Sequence, residues 1–473
     1  IALLRILTMQ NLKKIFALSL VALGINACNS GGGSSAPTAA PTTGWTWISG
    51  SNQANALGIY GSPADMPGGR DLAVSWVDNS GNFWLFGGSG YAASGDSGML
   101  NDLWEYVPST GIWTWVAGPS STNGKGSYGT QGIGSVLNLP GARIGAISWQ
   151  DSTGNLWLFG GYGYATDDLL PGALNDLWKF TPSDHKWTWV SGADTINAAG
   201  AYGVKDIPGF NNTPGARLGA ISWTESNGTQ WLFGGATTIP TTTDYNDLWK
   251  FNPTTKEWTW VTGESTTNES GIYGVQGNPN PHNQPGARLD SISWNDGNGN
   301  LWLFGGNGKD GIGSPNGNLN DLWKYNPTTK EWTWMSGSNG SNHYGVYGQL
   351  GVASPNSIPG AREHRIPLSW ADNNGNLWMF GGDGYGANSK GILNDLWSYN
   401  PSNNQWTWMG GSNESNAFSN YGTQGVLATN NQPGARRDGI GWVDNAGKIW
   451  LFGGDGNTTN ESGFLNDLWQ YTN

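Results

Sequence analysis

Apolar and polar residues alternate with a period of two in short runs along this chain, and the runs come in sets of four. In one set the runs are residues 143–149, 155–159, 175–180 and 186–190. They are rich in tryptophan, phenylalanine and branched aliphatics, which suit a pleated, half-buried surface, so each predicts a β-strand. The turn Asp151-Ser152-Thr153-Gly154-Asn155 joins the first pair as a hairpin, and Pro182-Ser183-Asp184 joins the last. In the second run Trp157 and Phe159 fall on one face and the leucines on the other. A small sheet with two apolar faces is not stable alone.

The set recurs six times. Gly-Gly follows an aromatic at Gly87, Gly160, Gly234, Gly305, Gly381 and Gly453. Asn-Asp-Leu-Trp starts at Asn101, Asn175, Asn246, Asn320, Asn394 and Asn466. Pro-Gly-Ala-Arg, with Gly for Ala in the first copy, starts at Pro67, Pro140, Pro214, Pro285, Pro359 and Pro433. Trp-Thr-Trp starts at Trp45, Trp113, Trp187, Trp258, Trp332 and Trp406. Repeats set in a ring bury both faces of every sheet against neighbours, which predicts an all-β, six-bladed β-propeller with four antiparallel strands per blade. Trp45-Thr46-Trp47 is a fourth-strand motif with no three strands before it, and Tyr471 follows a third strand. The N-terminal strand is therefore expected to join the last blade and close the ring. Five tryptophans per repeat account for all 30, which leaves none for a separate site and assigns the set to the core between blades.

Residues 320–332, Asn-Asp-Leu-Trp-Lys-Tyr-Asn-Pro-Thr-Thr-Lys-Glu-Trp behind a Gly-Gly pair, resemble the kelch repeat, and the resemblance runs from Trp45 to Tyr471. It implies a kelch-type propeller of the galactose oxidase central-domain superfamily. Kelch propellers include protein-binding modules, a sialate mutarotase and the galactose oxidase core, and fold-level analogy does not choose among them. The galactose oxidase radical cofactor needs a Cys–Tyr crosslink and histidine ligands. The sole cysteine here is Cys28, so that chemistry is set aside and no cofactor is expected.

Composition narrows the partners. A net charge of −12 repels phosphate backbones and argues against nucleic acid. His185, His282, His343 and His364 follow no metal-ligand spacing, and no metal is expected. Before the repeats, residues 1–8 read as upstream translation and residues 9–27 as a signal peptide. Lys13 and Lys14 precede an apolar stretch too short to span a bilayer. Ile25-Asn26-Ala27-Cys28 resembles a bacterial lipobox, which makes Cys28 the expected lipidation site. Asn29 in place of Asp points to the outer membrane. Residues 28–43 form a Gly/Ser/Pro tether, and residues 44–473 the propeller. The expectation is a monomer held at the cell envelope by its lipid anchor alone.

Two families of repeated side chains fall near the long loops. Arg70, Arg143, Arg217, Arg288, Arg362 and Arg436 open the innermost strands and could hold an anion at the channel mouth or bond carbonyls of the neighbouring blade. Tyr60, Tyr128, Tyr202, Tyr273, Tyr347 and Tyr421, each followed by glycine, could stack on sugars or anchor their loops. The aspartates of Asn-Asp-Leu-Trp are expected to bond backbone amides at the strand start. The turns at Asp78 and Asp372 resemble fragments of calcium loops and read better as plain hairpins. Departures from the repeat mark one arc of the mouth: Asp71, Asp290, Glu363, His364, Arg365, Arg437 and Asp438. Glu363 and His364 are the only acid–base pair this suggests. The reading is a binding module for a protein or glycan, acting through the long-loop rim. The alternatives are a carbohydrate-active enzyme resembling the sialate mutarotase, using the arginine ring and that arc, and a structural envelope protein.

Overall fold

The computed structural model describes residues 43–472 apart from 167, 238–242 and 365–367. Its elements are all strands, in six antiparallel sheets that follow one another around a ring. Among the described residues no helix is long and apolar enough to cross a membrane. Cys28 and the signal and tether segments lie outside the described residues, as does Arg365.

Blade two shows how sequence becomes element. Its strands are Arg143–Ile144 with Ile147–Gln150, then Leu156–Gly163, Gly172–Thr181 and Lys186–Ser191. The innermost run, expected as one strand, is split in two by Gly145, whose φ of 59° is left-handed. The hairpin turn is held by its own aspartate. Asp151 Oδ1 accepts the N–H groups of Thr153 and Asn155 (2.9 and 3.0 Å), and Oδ2 accepts Trp157 Nε1 (2.8 Å). Asp78 and Asp372 make the same three kinds of bond, which shows them as hairpin turns.

The Gly-Gly pair sits on the second strand where its register with the third shifts. Gly161 has a φ of 97°, and its N–H donates to the Arg217 carbonyl of blade three (2.8 Å). A Cβ there would stand 2.7 Å from the Ile144 carbonyl oxygen, so only glycine fits.

The core lies between blades. One apolar cluster joins Trp84, Phe86 and Leu103 of blade one to Leu156, Leu158 and Trp178 of blade two. The other face of blade two gives Trp157 and Phe159 to a cluster with Trp249, Phe251 and Trp258 of blade three. Each of the six interfaces has such a cluster, including that between blades six and one. A large buried apolar side chain contributes about 1.5–3 kcal/mol before entropy, so these seams are the main source of stability. Gly44–Ser49 pairs antiparallel with Ser462–Thr472, with Trp45 opposite Tyr471 and Trp47 opposite Trp469. The N-terminal strand thus completes blade six, as its motif predicts.

Candidate functional site

The repeated arginines, tyrosines and aspartates meet one another. In blade two the buried Arg143 guanidinium grips Asp176 with both nitrogens (2.7 and 2.8 Å). Its Nε donates to the Gly141 carbonyl and Nη1 also to that of Gly160. Asp176 Oδ2 then accepts the Tyr128 hydroxyl (2.6 Å) and Trp178 Nε1 (2.7 Å). The same set is built on Arg70–Asp102–Tyr60, Arg217–Asp247–Tyr202, Arg288–Asp321–Tyr273, Arg362–Asp395–Tyr347 and Arg436–Asp467–Tyr421. The six arginines are therefore inside the blades, and their carbonyl partners belong to the same blade. The aspartates bond side chains where backbone amides were expected. The tyrosines tie each incoming loop to the blade it enters. Burial and the neighbouring carboxylate both raise the phenol of Tyr128 far above its ordinary range, and those of the other five likewise.

The six copies differ at the mouth of the central channel. The residues after the arginines are Asp71, Ile144, Leu218, Leu289, Glu363 and Arg437. A cavity of about 90 Å³ there is lined by Asp71, Glu363, Asp383, Arg437 and Asp438, from blades five, six and one. Arg437 is half-exposed. It donates to Asp383 (3.0 Å) and, through Nε and Nη2, to Asp455 (3.1 and 2.8 Å). Four of the residues singled out in the sequence are thus brought together here, with Asp383 and Asp455 added. The two additions follow the Gly-Gly pairs of blades five and six, where other copies carry Ser89, Tyr162, Ala236 and Asn307, and that contrast was the signal. His364 is not in the cavity lining. It is buried, and its Nε2 donates to the Phe380 carbonyl (3.2 Å).

One residue further along, the backbones of the blades link into a chain around the channel. The N–H of Leu72 donates to the Asp438 carbonyl, Gly145 to Leu72, Gly219 to Gly145, Asp290 to Gly219 and His364 to Asp290, over 2.7–3.3 Å. Leu72, Asp290 and Asp438 take the left-handed conformation there (φ 57°, 60° and 59°) that glycine supplies in blades two and three. Asp290 sits in the linkage and is not among the residues that line the cavity. Beyond it the channel holds a cavity of about 190 Å³ faced by Ser75, Ser148, Ser222, Ser293 and Ser369. The hydroxyls of Ser148, Ser293 and Ser369 donate to carbonyls of neighbouring blades, as Ser148 does to Ser75 (3.0 Å).

Blade five departs from the others in length. Its arginine stands 19 residues before the glycine carbonyl it bonds, against 17 in the other five. In the sequence the two extra residues fall between His364 and Leu368. A larger groove lies on the opposite, short-turn face. Of about 520 Å³, it runs between the turns of blades three and four, past Glu225, Asp296, Asn298 and Pro327. No protein-family model matches the chain, and no curated protein is similar to it.

Proposed function

We propose that this chain is a kelch-type binding propeller, anchored at the cell envelope through acylated Cys28, that takes its ligand at the channel mouth on the long-loop face. The observation that carries the reading is the charged arc of blades five, six and one, set on a ring whose repeated arginines, aspartates and tyrosines are spent on structure. The described lining holds Asp71, Glu363, Asp383 and Asp438 against Arg437. Charged side chains gathered in this way suit a polar or charged group of a protein or glycan, and field focusing in a concave mouth strengthens such an attraction.

The test is a glycan-array and envelope-protein pull-down screen with the wild type beside Glu363→Gln and Asp383→Asn. Thermal unfolding is measured in parallel. A partner retained by wild type and lost by both variants at unchanged melting temperature supports the mouth. A partner bound equally by all three moves the site elsewhere on the propeller. Anchoring is tested by Cys28→Ser, which should release the protein from the membrane fraction.

A further inference from the structure

We infer that blade one takes a turn-forming polypeptide segment from a partner along its open outer edge, a site separate from the channel mouth. An outer propeller strand exposes unpaired backbone groups, and blades two to six cover theirs with the loop that enters the blade. In blade two, Gly132 N–H donates to the Trp189 carbonyl and Ser135 N–H to that of Trp187 (2.8 and 3.1 Å), in antiparallel register. Three residues on, Asn138 Nδ2 adds a second bond to Trp187 (3.1 Å). Asp206 and Gly209 do this for blade three, Gly277 and Asn280 for blade four, and Gly351 and Ser354 for blade five. Gly425 donates to the Trp47 carbonyl of blade six (2.8 Å).

Blade one lacks the cover. From the tyrosine to the proline, five of these loops are 13 residues long and the first, Tyr60 to Pro67, is 8. Among the described residues no strap bond reaches the carbonyls of Trp113 or Trp115, the acceptors that straps use in the other blades. Asp65 takes the Trp115 N–H (3.0 Å) and leaves both carbonyls outward. The side chains agree. Ile112, 54% exposed, stands where the other outer strands carry Lys186, Glu257, Glu331, Gln405 and Gly44. Thr114 is exposed, whereas all five of its counterparts are at least half-buried. Natural edge strands are blunted by charge or cover, and this one has lost both along Ile112–Ala117 except for Asp65.

The five straps define what fits. The occupant is a segment folded in two successive turns, as at residues 130–133 and 135–138, that lies antiparallel to the outer strand; in four of the five straps it donates N–H groups three residues apart, with asparagine three further on in four of five. Four of the five straps carry no Lys, Arg, Asp or Glu between tyrosine and proline. Backbone pairing of this kind draws affinity from the main chain and selectivity from the side chains.

The experiment titrates a labelled peptide of the chain's own residues 129–140 onto the whole purified protein and follows anisotropy. The comparison variant has residues 61–66 replaced by residues 129–139, which builds into blade one the cover its neighbours already have. We expect saturable binding to wild type and at least about tenfold weaker binding to the covered variant. Equal binding to both, or none with peptide at about 1 mM, overturns the inference. Sedimentation without peptide separates the remaining occupant. A wild-type dimer that the covered variant cannot form gives the edge to a second copy of this chain and overturns it too.

Discussion

At the residue scale, the six Arg–Asp–Tyr–Trp sets act as bolts. Each joins the incoming loop, the innermost strand and the third strand of one blade through a bidentate ion pair with no exposure. Removing one partner strands the other. Asp176→Ala leaves the Arg143 guanidinium buried without its counter-charge, and we expect a loss of about 3–5 kcal/mol in urea unfolding. Alkali should act on the same bolts. The phenols of Tyr128, Tyr202 and Tyr421 are raised by burial first and by the adjacent aspartate second. A tyrosine raised in the folded state leaves stability intact below the unfolded value of about 10, and the stability is lost as pH climbs beyond it. Tyrosinate absorbance of these residues should therefore appear only together with unfolding, above about pH 10. A smooth rise in the folded protein would contradict the bonding.

At the element scale, the Gly-Gly step is where one blade meets the next. Gly161→Ala forces a Cβ toward the Ile144 carbonyl in a left-handed backbone, and an expected cost of about 1–3 kcal/mol should appear as a lower urea midpoint with an unchanged slope. Most of the elements were legible in the sequence. The four runs of each set became strands because period-two alternation is a local property, and six copies removed the ambiguity that short apolar runs carry. What the period left open was who bonds whom. Arg143 and Asp176 lie 33 residues apart, and alternation says nothing about partners on different strands. Equal numbers of arginine, aspartate and tyrosine at fixed places in every copy did carry that information, as a charge balance repeated six times. The long loops were read as a binding rim because loops of that length are usually functional or disordered. Much of their length is needed to reach the outer strand of the next blade. The five residues missing before blade one show that need by their absence.

At the scale of the whole molecule, closure decides cooperativity. Every blade depends on both neighbours for its core, so the ring should unfold as one unit while it is shut. The latch is the strand Gly44–Ser49, which brings Trp45 and Trp47 against Tyr471, Trp469 and the blade-five ring of Phe380. A chain shortened to begin at residue 50 keeps the five complete blades and leaves the outer edge of blade six open at Ser462–Thr472. Loss of the buried Trp45 and the half-buried Trp47 removes about 2–5 kcal/mol of apolar burial, and the edge they covered becomes a template for pairing with other chains. We expect the shortened chain to unfold at a lower temperature, with a broadened first transition from blade six, and to aggregate on heating. A synthetic peptide of residues 43–50 should restore the melting temperature in proportion to its concentration, because it binds the folded ring and not the unfolded chain. An unaltered single transition in the shortened protein would mean that the seams alone hold the ring and that the latch is dispensable.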